Sequence, residues 1–132
     1  MLTGGCQCGA VRYEVEGESA HHALCHCADC RASSGAPATA WMAFASDSFR
    51  ITSGKATPYN SSGASWRHFC GTCGTGIYFI NEDMLPGIVD IQSATLDDAR
   101  EHSPGAQIQT AERLDYMADL GSLPEFERYP GQ

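Results

Sequence analysis

Positive charge is scarce in this chain: eight Lys and Arg stand against 16 Asp and Glu, for a formal net charge of −8 over 132 residues. The few cations are scattered, so no basic face for a phosphate backbone can be assembled, and nucleic acid is not an expected partner. Long apolar runs are also missing, and no stretch approaches the length of a membrane span. Met1-Leu2-Thr3-Gly4 lacks the basic and apolar regions of a secretory signal. The expected compartment is therefore the cytoplasm, where disulfides are rare and clustered cysteines serve more often as metal ligands. Repeats, low-complexity tracts and linkers are absent too, so residues 1–132 read as a single domain long enough to bury a core.

What the chain does have is cysteine, seven in all, an odd number that argues against a complete disulfide framework. Cys25-His26-Cys27-Ala28-Asp29-Cys30-Arg31 puts three thiols within six residues, and a short loop can turn all three toward one point. Two flanking pairs, Cys6-Gln7-Cys8 and Cys70-Gly71-Thr72-Cys73, can close a second point. A Cys-X₂-Cys turn bends the backbone so that two sulfurs reach one ion, and neither pair completes a tetrahedron alone. The economical reading joins Cys6, Cys8, Cys70 and Cys73 in one structural zinc site that pins the N-terminus to a later hairpin. The alternative is a redox-active Cys70/Cys73 dithiol, a motif that usually opens a helix after a strand.

Cys25, Cys27 and Cys30 can bind one face of a second Zn²⁺ and leave a fourth position, as catalytic sites do. The alternative is a second structural site closed by His26, Asp29, His68 or a residue of another loop. Pattern alone weighs the open and closed forms equally, although His26, lying between two ligands, should point away from their metal. With both sites filled and all seven thiols ionised, the formal charge becomes about −11. Three thiolates overcompensate Zn²⁺, which makes it a poor activator of water and a better partner for an exchangeable thiol. An anionic substrate would need help from Arg12, Arg31, Lys55 or Arg67. Arg31, beside the last inner ligand, is the candidate to meet a substrate carboxylate.

Short strands at close spacing, with no long helical stretch, predict a mainly β fold. Val11, Tyr13 and Val15 alternate with Arg12, Glu14 and Glu16 over 10–16, the pattern of a half-buried strand. Further strands are expected over 38–44, 49–52, 66–69, 77–80, 87–92 and 107–110, with a turn at 60–63. One or two helical turns are expected over 28–34, and an irregular tail over 114–132. Trp41 and Phe44 are candidates for the site's lining or for the core, and Tyr78 and Tyr116 for a hydroxyl near the open metal position.

The runs TGGCQCGAVRY at 3–13, CHCADCRASSGAP at 25–37 and FCGTCGTGIY at 69–78 resemble the glutathione-dependent formaldehyde-activating enzyme family. VDIQSATLDD at 89–98 and Leu123-Pro124-Glu125-Phe126 continue the likeness. The resemblance implies a fold of several coiled β-sheets, a β-tent. It implies a structural zinc on Cys6, Cys8, Cys70 and Cys73, and a catalytic zinc on Cys25, Cys27 and Cys30. The implied activity is a carbon–sulfur lyase reaction that joins glutathione to formaldehyde, giving S-hydroxymethylglutathione. Where members often carry a late-strand His and a downstream Trp, this chain has Gln107-Ile108 and Tyr116. The domain also occurs in a centromere-associated protein, so a non-catalytic, zinc-stabilised binding module is the second reading.

Overall fold

The structure, a computed structural model, describes residues 1–131. It is mainly β, with ten strands in two sheets and one short helix among the described residues. The smaller sheet is antiparallel, in the order β1 (Leu2–Gly5), β2 (Arg12–Val15) and β5 (Phe49–Ser53). The larger sheet uses β3 (His21–Cys25), β4 (Thr39–Ala45), β6 (Thr57–Ser62), β7 (Ser65–Phe69), β8 (Gly76–Asn81), β9 (Ile88–Gln92) and β10 (Ala106–Ile108). Its order is β10-β3-β4-β9-β8-β7-β6, antiparallel except where β10 runs parallel to β3. The helix α1 (Ala28–Ser34) lies between β3 and β4. Among the described residues no helix is long and apolar enough to cross a membrane.

The alternation read at 10–16 has a direct outcome. Tyr13 and Val15 of β2, with Val11 just before it, point into the main core, where they meet Met42, Phe44, Val89 and Ile91 of the larger sheet. Burying side chains of this size contributes about 1.5–3 kcal/mol each. Met42 pairs with Ile91 and Phe44 with Val89, so these four share one face of the sheet.

Thr39, Trp41 and Ala43 of β4 are buried as well, on the opposite face. There Cys25 sits across from Thr39, Ala23 across from Trp41, and Arg67 across from Phe79. A register shift in β7 leaves Ile77 of β8 without a partner, and this bulged residue is buried in the main core. The central strand β4 thus separates an apolar core from a second, cysteine-bearing face.

Two strands were not expected from the sequence, β1 and β3, and β6 extends into the segment read as a turn. The Asn60 amide donates to the carbonyls of Gly63 (2.9 Å) and Ser65 (3.0 Å), which moves the turn toward Gly63-Ala64. The tail forms short 3₁₀ turns at Thr110–Glu112 and Asp115–Ser122.

Candidate metal centres and the adjoining cleft

The β1–β2 loop carries Cys6 and Cys8, and the β7–β8 turn carries Cys70 and Cys73. The four sulfurs all lie within 4.8 Å of one another. Cys6 Sγ is 3.6 Å from Cys8 Sγ, and Cys8 Sγ is 3.8 Å from Cys70 Sγ. A tetrahedron of Zn–S bonds of about 2.3 Å has edges of about 3.8 Å. The donor set therefore fits zinc, while all seven cysteines are free thiols, with no disulfide. Backbone N–H groups point at these sulfurs: Val11 at Cys6 (3.2 Å), and Thr72 (3.4 Å) and Cys73 (3.5 Å) at Cys70. Gly74, at φ 84°, supplies the left-handed residue that closes the Cys70 turn. Hydrogen bonds from the hydroxyl and backbone of Thr75 draw the Cys73 thiol down to about 5.

The inner trio is built locally. Cys25 ends β3, Cys27 caps α1 and Cys30 lies in its first turn. The Cys27 sulfur accepts the Cys30 N–H at 3.2 Å, so one prospective metal ligand also serves as the helix N-cap. Gly35, at φ 69°, ends the helix by donating its N–H to Arg31 O at 2.8 Å. The sulfurs of Cys25, Cys27 and Cys30 again lie within 4.8 Å of one another. Burial pushes the Cys30 thiol up to about 12, and that of Cys25 up as well. Three clustered thiols in this surrounding suit a divalent metal that displaces their protons.

The three residues considered for closing the inner site make other contacts, although the Nδ1 atoms of His26 and His68 have no hydrogen-bond partner. His26 is fully buried, and its Nε2 bonds Gln107 Oε1 at 2.8 Å. Asp29 meets Arg67 Nη2 at 2.8 Å. His68 stacks on Tyr78, with ring centroids 4.1 Å apart. Among the described residues no fourth Cys, His, Asp or Glu ligand joins the trio.

A family model described as "Glutathione-dependent formaldehyde-activating enzyme" matches residues 1–112. The chain belongs to the glutathione-dependent formaldehyde-activating enzyme family. It is also similar to a solved crystal structure of a Rhodobacter sphaeroides protein, with a TM-score of 0.64 and 26% identity, over 80% of this chain and 98% of that one. No curated protein matches it.

In this family member a cleft of about 600 Å³ opens beside the inner cysteines. Trp41, Arg67 and Asp29 form its inner wall, and Gly74 and Thr75 bring it up to the outer cluster. Trp41 packs on Cys25 and Cys30, with Phe79 against it at 5.9 Å. Phe44 points the other way, into the main core. Tyr78 lines the cleft, whereas Tyr116 lies in a separate shallow depression with Arg31.

The Arg31 guanidinium donates to the carbonyls of His26 (2.9 Å) and Glu112 (2.5 Å), tying the cysteine loop to the tail. Arg12 is engaged by Asp97, at 2.9 Å between Nη1 and Oδ1. Of the four cations considered from the sequence, Arg67 is the one that lines the cleft. Its amino groups lie 3.9 and 4.0 Å from Cys30 Sγ, and its guanidinium sits 5.3 Å over the Phe79 ring. No sequence spacing links Arg67 to Cys30, because strand pairing brings them together across 37 positions.

Proposed function

We propose that this chain is a carbon–sulfur lyase that joins a small thiol, glutathione or a relative, to formaldehyde in the cytoplasm, giving an S-hydroxymethyl thiol. The single observation that carries this reading is a trio of sulfurs with no fourth Cys, His, Asp or Glu ligand among the described residues, packed against Trp41 and Arg67 of a cleft wall. Cys25, Cys27 and Cys30 would hold the catalytic zinc, and Cys6, Cys8, Cys70 and Cys73 a structural one. Zinc held at the inner site would supply a cation that favours the thiolate form of an incoming thiol.

The chain's own residues do the rest. The cysteine trio lies next to Trp41 and Arg67 of the cleft wall, and the substrate would approach it from the cleft. Trp41, backed by Phe79, packs on Cys25 and Cys30 and makes the cleft wall next to the trio apolar. Arg67 places a positive charge next to Cys30, offsetting the excess negative charge of three thiolates on one divalent ion. The substrate thiolate then adds to the carbonyl carbon of formaldehyde. A sulfur–carbon bond forms, the carbonyl π pair moves to oxygen, and that oxygen takes a proton from water.

The test is addition of glutathione to the cobalt-substituted protein. A new sulfur-to-metal absorption, together with glutathione-dependent consumption of formaldehyde, supports the reading. An unchanged spectrum with no consumption leaves the second reading, a non-catalytic zinc-stabilised module.

A further inference from the structure

We infer that Arg67 is the specificity residue of the cleft: it selects thiols that carry a carboxylate, and Asp29 holds that carboxylate's seat until substrate arrives. This rests on the reading of the inner cysteines as a thiol centre and adds to it which thiols are taken.

Arg67 is nine-tenths buried, lines the cleft and lies against Cys30. A buried guanidinium needs acceptors for its N–H groups, and here they are incompletely supplied. Nη1 and Nη2 face Cys30 Sγ, and Nη2 also donates to Asp29 Oδ2 at 2.8 Å. Nε has no acceptor.

Nε–H and one Nη2–H point along the same edge of the planar group, the edge that a carboxylate bridges with two parallel hydrogen bonds. Asp29, tethered to the first turn of α1, occupies only the Nη2 half of that fork. A free carboxylate is not so tethered and can take both halves.

Asp29 is also easily moved. Its side chain is 66% exposed against 11% for Arg67, so the pair has the weak hold of a half-solvated salt bridge. Two further residues of the same cleft, Ser61 and His68, have buried polar atoms, Oγ and Nδ1, without protein partners. Three residues of the cleft lining thus carry buried polar atoms without protein partners, one of them on the cationic fork. That set suits a thiol with a carboxylate and amide-type polarity better than a small neutral thiol.

The experiment compares glutathione with its dimethyl ester, which lacks both carboxylates and keeps the amine, reading binding from the thiol-dependent spectrum of the cobalt-loaded protein. Wild type is expected to bind glutathione about 10-fold more tightly than the ester, the size of one charge-assisted pair. Arg67→Gln weakens any thiol through Cys30 but should weaken glutathione about 10-fold more than the ester, which removes that preference. Arg67→Lys, which keeps the charge but loses the fork, should restore part of it. Asp29→Asn should tighten glutathione and leave the ester unchanged. Equal weakening of both ligands by Arg67→Gln, with Arg67→Lys no better, would overturn the proposal, because Arg67 would then act only through the cysteines. A wild type that binds acid and ester equally also overturns it, while the thiol-centre reading stands. A wild type that binds neither overturns both.

Discussion

The two cysteine clusters use the same donor atom and are built in opposite ways. The outer one gathers its ligands from loops more than sixty residues apart and stands at the edge of the main core, with Cys6 and Cys70 packed into it. The inner one takes all three ligands from a single loop and helix cap, on the far face of β4, beside a cleft. A cluster that closes a long chain loop removes more freedom from the unfolded chain than one that closes six residues, by about 2 kcal/mol. On the proposed reading the outer group holds the fold, and the inner group costs the fold less when altered. That asymmetry is what a scaffold with a working site requires.

The sharpest way to break the comparison is to remove one sulfur from each. Cys70→Ser should abolish soluble expression or collapse the thermal transition, since structural zinc contributes about 10–16 kcal/mol to folding in small zinc domains. Cys25→Ser should leave a folded protein that retains one zinc by metal analysis and has lost at least about 100-fold in thiol-dependent turnover. If the two variants behave alike, the clusters do not have separate roles.

The next comparison is across β4. Phe44→Ala, on the core face, should lower stability by about 3–5 kcal/mol in denaturant melts, while glutathione binding per folded molecule stays unchanged. Arg31→Ala sharpens the contrast with Arg67. It loses two bonds to backbone carbonyls, so it should cost about 1–2 kcal/mol in stability and leave the acid-over-ester preference intact.

The smallest effect concerns pH. Hydrogen bonds from Arg12 and then Thr3 draw the Asp97 carboxyl down to about 2 from 3.8. A carboxyl depressed on folding stabilises the protein above its unfolded value and loses that contribution as pH falls toward the folded one. Asp97 is about half exposed, so the solvent-discounted contribution is about 0.5–1 kcal/mol. Between pH 4 and pH 2 the melting temperature of the wild type should therefore fall more steeply than that of Asp97→Asn.

Much of the fold was legible in the residues. The strands expected over 10–16, 49–52 and 87–92 are Arg12–Val15, Phe49–Ser53 and Ile88–Gln92, and the helical turns expected over 28–34 are α1. The strands that escaped notice lack a pattern of their own. Leu2–Gly5 has two glycines and becomes a strand because Gly4 and Gly5 pair with Tyr13 and Arg12. His21–Cys25 begins with two polar histidines and is held between β4 and β10. In both cases neighbouring strands override a weak local preference.

The departure at Gln107 shows the same limit in the site. Nothing local says what a glutamine in a late strand is for. In the fold, its amide oxygen occupies the Nε2 of His26.

Sequence alone determined which atoms can gather: the spacing of Cys25, Cys27 and Cys30, and the two pairs around them, are properties of short chain segments whose geometry hardly varies. It also determined the scarcity of cations in the chain as a whole. Tertiary structure decided what the atoms face. Only strand pairing turned His26 toward Gln107, engaged Asp29 with Arg67, set His68 on Tyr78 and put Arg67 rather than Arg31 at the cleft. The physical reason is range: a chelating turn is settled within a few residues by backbone stereochemistry, whereas the space left beside it depends on side chains delivered from strands tens of residues away.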